Sequence, residues 1–120
     1  MKLGERMDVA SLAIKGDTSK EAGIELVEQI VKVLGMHKAH DPICYDYPVN
    51  NTGGQGYTYI QPITESFIAF DSWPDFKGAY LIICSCKTVN LNKVNKKIRK
   101  LGYKIKQVKA NELTLLCRRV

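Results

Sequence analysis

The sequence predicts an α+β fold, a two-layer sandwich in which a mainly antiparallel sheet carries two helices on one face. Three observations lead there. Apolar residues alternate at period two through seven short stretches joined by tight turns, while only two stretches place them at three- and four-residue spacing. One strand, 78–86, is apolar on both faces, as a central strand requires. With 120 residues, 45% of them apolar, the chain is the size of one core, so a single domain over 1–120 is expected.

The first strand spans 7–15 and stops at Gly16-Asp17. Thr18-Ser19-Lys20-Glu21 reads as a capping box, with the Thr18 hydroxyl accepting a first-turn N–H and Glu21 reaching back. A helix over 18–34 follows, striped by Leu26, Val27, Ile30, Val31 and Leu34 and closed by Gly35. A strand at 43–47 ends at Pro48, and 50–56 is glycine-rich loop. Strands at 57–63, 66–73 and 78–86 follow, the middle one closed by Trp73-Pro74-Asp75. Asn90 caps a second helix reaching Leu101, with Leu91, Val94, Ile98 and Leu101 as its stripe and Gly102 as its stop. Two last strands, 103–108 and 112–117, are predicted around a turn at Ala110-Asn111. The sheet face away from the helices keeps apolar residues, which predicts a homodimer or face-to-face sheet packing.

Net charge is +6, unevenly spread: residues 87–120 hold eleven Lys and Arg against one acid, Glu112. A basic tail of this kind marks either a solvated helix with its neighbouring strands or a nucleic-acid surface. No aromatic residues interleave with Lys93, Lys96, Lys97, Arg99 and Lys100, so a stacking platform is missing and nucleic acid is not the expected partner. No apolar run is long enough for a membrane span, and Met1-Lys2-Leu3-Gly4 lacks a signal peptide's apolar core; the expected location is the cytoplasm. Cys44, Cys84, Cys86 and Cys117 lie in apolar strand-like runs and are expected to be free, mostly buried thiols. His37, His40, Asp41 and Cys44 match no tetrahedral ligand spacing, and no metal is expected. Gly53-Gly54-Gln55-Gly56 lacks the Lys-Ser/Thr of a Walker loop and precedes a strand, so it reads as a hairpin loop.

The most informative stretch runs from Glu65-Ser66 through the aromatic strand Phe67–Phe70 and Trp73-Pro74-Asp75 to Cys86, twenty residues beyond Ser66. In this register, with Gln55-Gly56 ten residues ahead of Ser66 and Leu3-Gly4 at the start, the chain resembles the S-adenosylmethionine decarboxylase family in its short prokaryotic form. The resemblance covers roughly residues 3 to 102. It implies a pyruvoyl-dependent carboxy-lyase of polyamine (spermidine) biosynthesis, made as a proenzyme that cuts itself between Glu65 and Ser66. The cofactor would be a pyruvoyl group derived from Ser66, whose ketone takes up the substrate amine and withdraws electrons as CO₂ leaves. The resemblance also gives Cys86 the role of proton donor and Thr58 that of a hydroxyl assisting the cut, with S-adenosylmethionine as substrate.

The departures are equally specific. Five residues after its serine the family has a histidine, and here stands Asp71; carboxylates, with an ordinary pKa near 3.9, are weaker bases than imidazole. Phe67 replaces a second histidine, and the early Leu-Gly-x-His pattern reads Leu3-Gly4-Glu5-Arg6. Thr52 occupies the approximate place of an adenine-stacking aromatic, for which Tyr45, Tyr47 or Tyr57 are the candidate substitutes. Two alternatives therefore stand beside the decarboxylase: the same scaffold unprocessed, as a non-catalytic partner subunit or a decarboxylase of another amino acid, and a nucleic-acid module using the basic helix. The mass of the denatured protein separates the first two.

Overall fold

Period-two alternation places one side of each strand inward, and the inward residues need a layer to cover them. The computed structural model, which describes residues 6–47 and 56–115, supplies that layer with two helices. In chain order the elements are β1 (Arg6–Lys15), α1 (Lys20–Val33), β2 (Ile43–Asp46), β3 (Tyr57–Ile63), β4 (Ser66–Trp73), a 3-10 turn (Pro74–Phe76), β5 (Gly78–Ser85), α2 (Leu91–Lys100) and β6 (Lys104–Thr114). They form one six-stranded sheet in the order β2-β3-β4-β5-β1-β6, with every neighbouring pair antiparallel. The predicted fold class is the one observed, and 78–85 is central, between β4 and β1.

The helix-side face buries Leu12 and Ile14 of β1, Tyr57 and Tyr59 of β3, Ile68 and Phe70 of β4, and Leu81 and Ile83 of β5. Against them pack Leu26, Val27, Ile30 and Val31 of α1, with Val94 and Ile98 of α2. Each such side chain contributes about 1.5–3 kcal/mol on leaving water. Gly23 lets α1 approach β3 and β4 closely: a Cβ there would stand 2.2 Å from the Tyr57 hydroxyl oxygen and 2.6 Å from the Phe70 ring. That hydroxyl donates to the carbonyls of Thr18 (3.0 Å) and Ser19 (2.8 Å), tying β3 to the helix start.

Three sequence expectations are corrected here. The N-cap of α1 is Ser19, whose hydroxyl accepts the Ala22 N–H, while the Asp17 carboxylate accepts the Ser19 N–H. Thr18 is buried instead, its carbonyl taken by Tyr57 and Ser72, so the capping role passes one residue along. The two last strands are one: Ala110 pairs with Ala10 and Asn111 with Val9, up to Thr114 opposite Arg6. A ten-residue partner strand offers ladder bonds throughout, and these override the local turn preference of Ala-Asn. The irregularity lies elsewhere, between Ala13 and Ile14, where Lys106 is the extra residue. The third correction concerns the thiols. Cys44, Cys84 and Cys86 are free, but Cys44 is exposed on β2, Cys84 is only half-buried on the uncovered face of β5, and Cys86 is half-buried one residue beyond that strand. Thr52 and Cys117 fall outside the described residues, as do most of the 50–56 loop and the end of the 112–117 strand.

The uncovered face carries Ile43 and Tyr45 of β2, Phe67 and Trp73 of β4, and Tyr80 of β5, all exposed. No helix among the described residues is long and apolar enough to cross a membrane.

Candidate active site

Strands β3 and β4 form a hairpin closed by the Ile63–Ser66 pair, which leaves Thr64 and Glu65 as a two-residue loop. Such loops usually place positive φ on the loop residues themselves, to match the strand twist. Here Thr64 and Glu65 keep negative φ, and the positive angle falls on Ser66, at 151°. Lys77, at 49°, is the other positive-φ residue besides glycine among the described residues. A side chain held in this region stores of order 1–3 kcal/mol. The strain sits at the Glu65–Ser66 junction.

The β4–β5 ladder pairs Ser66 with Ser85 and continues one step further, where the Cys86 N–H donates to the Glu65 carbonyl at 2.9 Å. Ladder spacing places the Cα atoms of Ser66 and Cys86 roughly 6 Å apart. The structure thus brings Glu65, Ser66 and Cys86 together.

The Glu65 side chain is 4% exposed. Its Oε1 lies 3.4 Å from the His37 N–H and its Oε2 3.3 Å from the Lys87 ammonium, with the His37 ring 3.8 Å away. Burial works to raise its pKa, but bonds from the Thr64 hydroxyl, the His37 N–H and Lys87 outweigh burial and hold the carboxyl below 4.5. The segment after α1 also grips the loop: the Thr64 N–H donates to the His37 carbonyl (2.9 Å), the Ala39 N–H to the Pro62 carbonyl (3.1 Å), and Lys38 bridges Ile63. His37, considered above as a metal ligand, is placed against a carboxylate; the His40 ring lies 3.3 Å from the Asp41 carbonyl. Sequence reasoning overlooked His37 and Lys87 in this setting. The one available signal was the antiparallel register: with Cys86 opposite Glu65, the next residue falls beside the loop.

Thr58 and Asp71 are placed elsewhere. They face each other across β3 and β4 on the uncovered face, and five residues of strand separate Asp71 from Ser66, roughly 17 Å. Thr58 donates to Asp71 Oδ1 (2.8 Å), Trp73 Nε1 donates to Oδ2 (3.2 Å), and the Tyr47 hydroxyl lies 2.6 Å from that of Thr58, whose proton is already committed to Asp71. The expectation that Thr58 serves the junction within its own chain is corrected by this separation: the donor on the Glu65 carbonyl is the Cys86 N–H. Of the substitute aromatics, Tyr45 and Tyr47 are exposed, whereas Tyr57 is buried with its hydroxyl committed to α1. A cavity of about 570 Å³ lies at this end, lined by Ser19, Lys20, Asp46, Tyr47, Gly56 and Tyr57 among others.

No curated protein sequence matches the chain significantly. The crystal structure of the adenosylmethionine decarboxylase from Aquifex aeolicus VF5 superposes with a TM-score of 0.61, at 17% sequence identity and over 92% of each chain, so the fold is shared. A sequence model of the S-adenosylmethionine decarboxylase family matches residues 17–114, which contain the strained serine, the bonded carbonyl before it and the cysteine beside it. On that match, the chain belongs to the S-adenosylmethionine decarboxylase family.

Proposed function

We propose that the chain is a proenzyme that cuts itself between Glu65 and Ser66 and then decarboxylates S-adenosylmethionine, supplying the aminopropyl donor for spermidine synthesis in the cytoplasm. The observation that carries this reading is the junction itself: a non-glycine φ of 151° at Ser66, directly after a carbonyl already hydrogen-bonded to the Cys86 N–H. In the cut, Ser66 Oγ attacks the Glu65 carbonyl carbon, and the charge developing on oxygen meets a donor already in place. The C–N bond breaks with its proton on the Ser66 nitrogen, leaving an ester. A base removes the Ser66 Hα and the Cβ–Oγ bond breaks, which frees the Glu65 carboxylate and leaves dehydroalanine at 66. Tautomerisation and hydrolysis release ammonia and leave a pyruvoyl group. The residues present fit that group: Ser66 heads β4, and Cys86, one residue past the end of β5 and bonded through its N–H to the Glu65 carbonyl, would hold a proton at Sγ for the substrate carbon. When formed, the pyruvoyl carbonyl supplies the electron sink for loss of CO₂.

Thr58 and Asp71 enter this reading through a second copy of the chain. The uncovered face is apolar enough for a face-to-face homodimer, and a two-fold packing would bring the Thr58–Asp71 end of one sheet towards the Cys86 end of the other, beside the junction. Mixing Ser66→Ala chains with Asp71→Asn chains tests this, because cleavage of the Asp71→Asn chain then depends on its partner.

The test of the main reading is mass spectrometry of the denatured protein. Conversion of the 13.5 kDa chain to fragments of roughly 7 and 6 kDa, the smaller blocked by pyruvate, supports it. An intact chain that does not bind S-adenosylmethionine favours the second reading, an unprocessed homologue, for which Asp71 in place of a histidine is the specific support. Against a nucleic-acid role, Tyr103, the aromatic nearest the basic α2, is buried with its hydroxyl on the Asp17 carbonyl (2.6 Å).

A further inference from the structure

Three consecutive residues, the last of the central strand β5 and the two beyond it, cradle the junction. Ser85 pairs with Ser66, the Cys86 N–H holds the Glu65 carbonyl, and the Lys87 ammonium holds the Glu65 carboxylate. Lys87 is itself located, since its N–H donates to the Ser85 hydroxyl at 2.9 Å. All three polar oxygens of Glu65 are therefore engaged, from two directions: Oε1 by residue 37, Oε2 by residue 87, and the carbonyl by residue 86. Turning the Glu65–Ser66 peptide plane, which changes φ at Ser66 and so the approach of its Oγ to the carbonyl carbon, must break the bond from Cys86, and moving the Glu65 Cα must break a bond to its carboxylate.

We propose that Lys87 is a positioning residue for the self-cleavage, acting through the Glu65 carboxylate to keep the Glu65 carbonyl facing the Ser66 hydroxyl. This inference rests on the self-cleavage reading above and adds a residue to it. Lys87 is the permanently charged partner of that carboxylate. The His37 N–H contact is long, at 3.4 Å, and the His37 ring is mostly exposed and carries charge only when protonated. Without Lys87 a nearly buried carboxylate keeps uncharged donors, chiefly the Thr64 hydroxyl and the long His37 N–H, and a charge so deprived of its cation shifts towards water or a new partner. Its own main chain then loses the restraint that aligns nucleophile and carbonyl carbon, and rates fall steeply with small misplacements of reacting atoms. The role is geometric: Lys87 touches neither the attacking oxygen nor the bond that breaks.

The experiment follows fragment appearance by denaturing mass spectrometry in the full-length chain, with a thermal melt of each variant to establish folding. Lys87→Met is expected to slow cleavage about tenfold or more, while Lys87→Arg, which keeps a cation in reach, stays within about threefold of the parent. Glu65→Gln is expected to slow cleavage as well, and adding Lys87→Met to Glu65→Gln should then change the rate by less than about twofold, because the partner through which Lys87 acts is gone. The inference is overturned if Lys87→Met cleaves as the parent does, or slows Glu65→Gln as much as it slows the parent. A parent chain that yields no fragments overturns the self-cleavage reading and this inference together. A parent that cleaves at the Lys87→Met rate overturns the inference alone. If Lys87→Met fails to fold, Lys87→Gln with the Glu65→Gln comparison decides by the same criteria.

Discussion

Replacing Ser66 by glycine and, separately, by alanine isolates the strain at the junction from the chemistry of the hydroxyl. Neither variant has a nucleophile, so both remain intact chains whose stabilities compare directly. Alanine keeps a Cβ at φ 151° and with it the cost of that conformation, of order 1–3 kcal/mol. Glycine removes the cost but loses more conformational freedom on folding, about 0.4–1 kcal/mol. Ser66 lies on a half-buried hairpin end, so the lost hydroxyl is common to both variants and cancels. The difference predicts Ser66→Gly to be more stable than Ser66→Ala by about 0.5–2 kcal/mol. For a chain of this size that is a melting difference of roughly 2–8 °C. Urea denaturation with equal m-values is the assay. Equal stability, or a more stable alanine variant, would refute the claim that the junction is strained, and with it the observation on which the proposed cut rests.

Gly23→Ala should destabilise by about 1–3 kcal/mol in the same assay, although alanine is the better helix former, because its methyl would overlap Tyr57 and Phe70. Asp71→His should accelerate fragment formation, read by mass spectrometry over time, since an imidazole is the stronger base near neutral pH. On the dimer proposal, light scattering at micromolar concentration is expected to give dimers for the parent and monomers for Tyr80→Glu, which places a charge in the middle of the uncovered face. The Glu65 carboxyl is held below its ordinary value of 4.5, so its contribution to stability is complete above that value and is lost as pH falls through the lower folded-state value. Denaturation between about pH 6 and pH 3 should show Glu65→Gln lacking that part of the acid limb.

The strands that announced themselves in the sequence were those whose ends coincide with residues unable to continue a ladder or a twist. Strand β3 starts after Gly56, and β4 stops at Trp73, just before Pro74, so local chemistry and tertiary structure agree there. Residues 109–114 were different: Ala110-Asn111 looks like a turn until β1 is alongside, and only the long-range pairing with residues 6–11 makes that stretch a strand. The site divides similarly. Ser66 and Cys86 were legible as neighbours because β4 and β5 are equal in length about a short connection, which makes twenty residues one trip out and back. Their link to Lys87 and His37 was not legible, because it depends on how the segment leaving α1 lies across the β3–β4 loop. Thr58 and Asp71 were legible as partners of each other only through the β3–β4 register, which also carries them away from Ser66.

The strand order β2-β3-β4-β5-β1-β6 has a consequence for what a break after Glu65 would leave behind. The piece before the break owns β1, α1, β2 and β3; the piece after it owns β4, β5, α2 and β6. In the sheet these alternate, because β1 of the first piece is wedged between β5 and β6 of the second, and β3 borders β4. Two polypeptides woven in this way cannot part as rigid bodies: separation means pulling a middle strand out of a sheet and opening the layer of Leu12 and Ile14 to water. A nicked molecule would thus remain assembled in dilute solution for as long as its native state persists. Once denaturant has drawn the pieces apart, refolding would be a bimolecular encounter, its yield dependent on protein concentration in a way that the unbroken chain's is not.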